Sequence, residues 1–101
     1  MTLPKLVRDK IPEIIEEHGR TCSFRKAEDS EIKKLLLEKI IEETEEFLEK
    51  PSLEEAADIY EVFLSMLNNW NLDFQSVINH AYYKREKNGS FSQRVILENV
   101  E

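Results

Sequence analysis

A chain of 101 residues, 41% hydrophobic and 35% charged, has the length of one small domain, and we read residues 1–101 as such. Its net charge of −7 excludes attraction to a bare nucleic acid polymer, and two glycines and three prolines leave little room for the turns of an all-β fold. One cysteine, Cys22, excludes an intrachain disulfide; with no apolar run near the roughly 18 residues of a membrane span and no signal-peptide core, the expectation is a soluble cytoplasmic protein without a membrane partner.

In chain order, Leu3 to Arg8 is a short lead-in. Ile11-Pro12 opens a first helix, because proline suits the first turn, and His18-Gly19 stops it. Thr21 to Arg25 has strand-like residues over a short span and reads as a weak strand or extended arm. Asp29 or Ser30 is placed to cap a second helix, which runs to about Lys50, where Pro51 ends it. Ser52 caps a third helix, which continues to about Asn69. Asp73 caps a fourth, with Leu72 and Val77 spaced as a hydrophobic staple, and Asn88-Gly89 closes it. Gln93 to Leu97 is a second short strand candidate that could pair with the arm near Cys22. The expected fold is mainly α, a small bundle built on two long antiparallel central helices.

The second helix carries acids on its apolar face. At about 100° per residue, Leu36, Ile40 and Phe47 project within roughly 40° of one another. Leu37, Ile41 and Leu48 widen that stripe. Glu43 points into the sector of Leu36, Ile40 and Phe47, and Glu46 lies at its border. Glu42 sits further out and Glu45 nearly opposite. The third helix repeats the pattern. Its apolar arc contains Ala56, Ile59, Tyr60, Val62, Phe63, Leu64, Met66 and Leu67. Glu55 falls inside that arc and Asp58 at its edge. Each helix therefore places one acid in its buried stripe and a second one turn later at the rim. Four carboxylates converging from two packed helices repel strongly at low dielectric. Left alone they cost several kcal/mol or take up protons. A hard divalent cation with oxygen ligands removes the problem, and magnesium commonly bridges carboxylates to substrate phosphates.

Other roles compete for the same residues. Glu42 to Glu46 also fits a solvated acidic face. Ser52-x-x-Glu55 is a capping box, in which Glu55 reaches back to the Ser52 amide. Lys84, Arg85 and Lys87 suit a phosphate clamp, and equally complement the dipole at a helix C-terminus. Lys39, one turn before Glu43, fits an ion pair or a phosphate contact; Arg8 and Lys10 form a further basic pair. Trp70, Tyr82, Tyr83 and Phe91 are available for a base pocket or for core packing. His18 and His80 have no nucleophile partner in the sequence and read as structural or surface residues.

Lys39-Ile-Ile-Glu42-Glu43-Thr-Glu45-Glu46, followed by Glu54-Glu55-Ala-Ala-Asp58, resembles the E-x-x-E…E-x-x-D signature of MazG-like nucleotide pyrophosphohydrolases. That superfamily also includes phosphoribosyl-ATP pyrophosphohydrolase and the dimeric dUTPases. The opening Lys5-Leu-Val-Arg-Asp-Lys-Ile-Pro12 and the closing Lys84-Arg-Glu-Lys-Asn-Gly-Ser-Phe91 resemble a small subgroup described as house-cleaning pyrophosphatases. The resemblance implies magnesium-dependent hydrolysis of a nucleoside triphosphate to a monophosphate and pyrophosphate, with manganese as a substitute metal. It implies Glu43, Glu46, Glu55 and Asp58 as metal ligands and Glu42, with Glu43, in the catalytic places. Lys84 and Arg85 fall where the family carries basic residues for phosphate, and Lys39 and Arg8 join them as substrate-binding candidates. Only eight residues separate Glu46 from Glu55, fewer than usual in the family, which leaves less chain for a substrate-specific loop. The wide apolar arcs imply a bundle completed by oligomerisation, as a homodimer or a dimer of dimers. Two other functions use the same residues. One is phosphoribosyl-ATP hydrolysis, with a different base and sugar pocket. The other is a non-catalytic helical interaction protein whose acids face water.

Overall fold

The computed structural model describes residues 3–101, and every regular element among them is helical. The elements are α1 (Ile11–Glu17), α2 (Asp29–Glu49), α3 (Leu53–Asn69) and α4 (Phe74–Asn88). The mainly-α expectation holds, and the helix boundaries fall within a residue or two of the signals in the sequence. Pro12 sits in the first turn of α1. Gly19 follows that helix at φ +76°, a backbone conformation that favours glycine.

The cap of α2 differs from expectation. Glu28, in place of Asp29 or Ser30, is the N-cap, and its carboxylate accepts from the first turn while Glu31 reaches back to the Glu28 amide at 2.8 Å. Arg25 pairs with Glu31 and holds its carboxyl down at about 2, helped by that same backbone bond. The reciprocal carboxylate pair satisfies two otherwise orphaned groups, which a lone Asp29 would not. Ser52 caps α3 by accepting from the Glu55 N–H at 3.1 Å. Asp73 caps α4 by accepting from the Ser76 N–H at 3.0 Å.

Both strand candidates are corrected. Thr21 to Arg25 and Gln93 to Leu97 have no strand structure, and Phe24, Val95, Ile96 and Leu97 are exposed. A two-stranded pair this short has no hydrophobic layer to pack on and is marginal in water.

α2 and α3 form an antiparallel hairpin across the short link Lys50-Pro51-Ser52. Its open end is pinned by Lys33 of α2, whose ammonium lies 5.3 Å from the ring centroid of Trp70 at the end of α3. Leu36 and Leu67, 3% and 6% exposed, are the buried apolar residues among those described. α4 meets the hairpin edge-on through Phe74 and Tyr60, ring centroids 6.5 Å apart. The radius of gyration is 17.9 Å and the extents are 61 × 31 × 25 Å. A compact chain of this length has a radius nearer 13 Å. Leu37, Ile41 and Leu48 of α2, with Tyr60 and Phe63 of α3, remain largely exposed. No helix among the described residues is long and apolar enough to cross a membrane.

Candidate metal centre

The hairpin brings the acids of the two helices together. Carboxylate oxygens of Glu43, Glu55 and Asp58 lie within 4.8 Å of one another, and so do those of Glu42, Glu43 and Glu46. Glu43 belongs to both trios. The helical repeat explains this: Glu43 and Glu46 are one turn apart on α2, Glu55 and Asp58 one turn apart on α3, and the short link sets the two turns side by side.

Glu43 is 7% exposed, a buried carboxylate in a chain with little buried surface. Lys39, one turn earlier, lies 3.4 Å from its Oε1. Its Oε2 has no hydrogen-bond partner, and the same is true of Glu55 Oε2. Burial pushes the Glu43 carboxyl above its ordinary range, and the adjacent Glu46 carboxylate adds to the effect, against the pull of Lys39. Buried acceptors of this kind are costly unless something satisfies them.

Ser52 and Glu55 make half of the capping box. The Ser52 hydroxyl accepts from the Glu55 amide, but the return bond from the Glu55 carboxylate is not formed. The Glu55 side chain belongs to the acid cluster.

Three cations border the cluster. Lys39 also reaches Glu42 Oε1 at 3.6 Å. Lys5 Nζ lies 3.3 Å from the same oxygen. Arg8 bridges one turn of α3, with Nη2 2.7 Å from Asp58 Oδ1 and Nη1 3.9 Å from Glu61 Oε1. Burial pushes the Glu42 carboxyl up, but Lys5 and Lys39 together outweigh it and hold the group below its usual value.

Of the residues expected at the site, Glu42, Glu43, Glu46, Glu55, Asp58, Lys39 and Arg8 converge. Lys84 and Arg85 are exposed on α4 and make no ion pair with these acids. Trp70 is under Lys33 at the open end of the hairpin, and Tyr82, Tyr83 and Phe91 are exposed. Two surface clefts, of about 550 and 520 Å³, are lined by α1 with Phe24 and by α4 with Leu72; neither includes the acids. His18 lies on the surface, its Nδ1 2.8 Å from the Ile14 carbonyl.

Sequence reasoning missed Lys5 and Glu61. The signal for Glu61 was present: Glu55, Asp58 and Glu61 step by three along one edge of α3. Lys5 stands three residues before Arg8 in a segment without helical periodicity, so its partner could not be read locally.

Comparison with protein-family models, with curated proteins and with solved structures gave no match.

Proposed function

We propose that the chain is a magnesium-dependent nucleoside triphosphate pyrophosphohydrolase of MazG-like type, acting as a homo-oligomer. The observation that carries this reading is the pair of partnerless buried oxygens, Glu43 Oε2 and Glu55 Oε2, set in a cluster of carboxylates from two helices. An acidic face turned to water has no reason to bury unsatisfied acceptors. A cation-binding centre does, because the ion itself satisfies them. The donor set is all oxygen, which fits Mg²⁺ or Mn²⁺ and not a soft metal. The sequence signature around these acids supplies the reaction class.

Glu43, Glu46, Glu55 and Asp58 would hold the metal, with Glu43 common to both trios. When bound, the cation supplies neutralisation of charge on the triphosphate oxygens. Lys5 and Lys39 hold the Glu42 carboxyl below its usual value and so favour its ionised form. That makes it better suited to orienting the attacking water by accepting its hydrogen bond than to storing the water's proton. Lys39 and Arg8 lie within reach of the acids and are placed to meet the phosphate tail. Lys84 and Arg85, with an aromatic base pocket, would complete the site by way of a second copy, since a single chain does not bring them to the acids.

The test is a pyrophosphate-release screen over canonical, oxidised and deaminated nucleoside triphosphates, with phosphoribosyl-ATP as an additional substrate, with and without Mg²⁺. Metal-dependent release that disappears in Glu43→Gln supports the reading. No release on any substrate, together with no calorimetric binding of Mg²⁺ or Mn²⁺, sinks it in favour of a helical interaction protein.

A further inference from the structure

The segment before α1 does something that its sequence does not disclose. Residues 3–10 form no helix or strand. They cross from the acids of α2 to those of α3 through two side chains: Lys5 on Glu42, and Arg8 on Asp58 and Glu61. We propose that this segment is a cationic strap over the acid cluster, which competes with a divalent cation for Asp58 and Glu42 and swings aside when the cation binds. The inference rests on the metal-centre reading above.

Three observations carry it. First, the strap engages the metal-side acids directly: Arg8 Nη2 is 2.7 Å from Oδ1 of Asp58, a member of the Glu43–Glu55–Asp58 trio. A guanidinium at that distance lowers the negative potential that attracts a cation and would repel an ion seated on the same carboxylate. Second, Lys39 and the strap differ in the backbone that holds them, although the Lys5 side chain, 20% exposed, is nearly as buried as that of Lys39. Lys39 is fixed on α2, with a largely buried side chain. Lys5 and Arg8 sit on irregular backbone, and Arg8 is about half exposed, so the strap can leave without breaking a helix. Third, the cluster attracts a divalent cation even with the strap in place. Glu42, Glu43, Glu46, Glu55 and Asp58 face Lys5, Arg8 and Lys39. These five carboxylates exceed the three cations by two charges, which one divalent ion balances, so the ion and the strap compete for the oxygens of Asp58 and Glu42 and not for the charge of the set as a whole. A displaced Arg8 stays tethered beside the site, where its planar fork suits a phosphate group.

The experiment measures Mn²⁺ binding to the full chain by titration calorimetry at low ionic strength, without nucleotide. It compares the natural sequence with Lys5→Gln, Arg8→Gln, the double variant, Arg8→Lys, and Lys10→Gln as a control. The strap predicts tighter binding by about two- to fivefold for each charge removed, as expected of partly exposed pairs, and a larger gain in the double variant. Arg8→Lys keeps the charge and stays near the natural affinity, and Lys10→Gln changes it less than twofold. Amide exchange across residues 3–10 of the natural chain speeds up on adding Mn²⁺. If the natural chain binds Mn²⁺ but Lys5→Gln and Arg8→Gln leave the affinity unchanged or weaken it, the strap is wrong and the metal centre stands. Unchanged exchange across residues 3–10 on saturation counts against it in the same way. If neither the natural chain nor any variant binds Mn²⁺, the metal centre fails and the strap with it.

Discussion

The Ser52 hydroxyl accepts a hydrogen bond from the Glu55 amide at 3.1 Å, while the carboxylate of the same Glu55 leaves Oε2 buried and without a partner. One residue thus serves two functions through different atoms: its backbone closes the first turn of α3, and its side chain joins the acids of Glu43 and Asp58. The two roles are separable by mutation. Ser52→Ala removes the cap and should destabilise the fold by about 1 kcal/mol, with little effect on Mn²⁺ affinity. Glu55→Gln keeps the cap and removes a buried charge, so stability without metal should be unchanged or higher while Mn²⁺ affinity falls at least tenfold. Urea denaturation and calorimetry on both variants check the pair. A Glu55→Gln protein that binds Mn²⁺ as well as the natural chain would assign the carboxylate to another task.

Glu43 gives a pH signature. Burial and the adjacent Glu46 raise its carboxyl above the ordinary 4.5. A carboxyl raised on folding contributes stability that is fully present below the unfolded value and is lost as pH rises through the folded one. Without divalent metal, ionising Glu43 as pH rises is therefore a net cost, and at pH 7 Glu43→Gln should be more stable than the natural chain. The difference should shrink below about pH 4.5, where the natural carboxyl is protonated as well. Metal reverses the order. Mg²⁺ at a hundred times its dissociation constant adds about 2.7 kcal/mol to a protein that binds only when folded, and Glu43→Gln should gain almost none of this. Urea midpoints at pH 4 and pH 7, with and without Mg²⁺, give all four values.

Glu31 acts in the opposite direction. Arg25 and the Glu28 amide lower its carboxyl from 4.5 to about 2. A depressed carboxyl contributes stability that is present above the unfolded value and lost as pH falls through the folded one. The start of α2 should therefore weaken between about pH 4.5 and pH 2. Glu31→Gln should remove that part of the acid transition and leave the neutral-pH metal affinity unchanged, since the capping box lies at the far end of α2 from Glu43. Helical circular dichroism from pH 7 to pH 2 checks it; identical acid limbs in the two proteins would mean that the pair adds nothing.

The hairpin and its acids were legible because they rest on local rules. Proline and serine punctuate α2 and α3, and a period of 3.6 residues puts Glu43 and Glu55 on the apolar faces. What was not legible depended on distant partners. The Lys5–Glu42 and Arg8–Asp58 pairs join residues 37 and 50 positions apart, which no window along the chain detects. The strand candidates failed for a related reason: Val95, Ile96 and Leu97 have strand-like side chains, but β-propensity acts only where neighbouring strands supply packing. The cap of α2 was misplaced because Glu28 is an unusual N-cap, effective here through its exchange with Glu31.

The outer face of the hairpin bears on the oligomeric state. Leu37 and Ile41 are one turn apart on α2 and each about half exposed. With only Leu36 and Leu67 buried among the described apolar residues, the chain as a monomer leaves most of its helix faces in water. Burying these faces in a second copy recovers roughly 25 cal/mol for each Å² removed from solvent, and supplies the core that a 101-residue elongated chain lacks. Light scattering at micromolar concentration should show a dimer or a dimer of dimers. Leu37→Asp and Ile41→Asp each place a charge in the middle of that face and should shift the protein toward monomer, lower its helical circular dichroism and reduce its unfolding midpoint. A natural chain that runs as a stable, fully helical monomer would show that the exposed stripes of α2 and α3 need no second copy to fold.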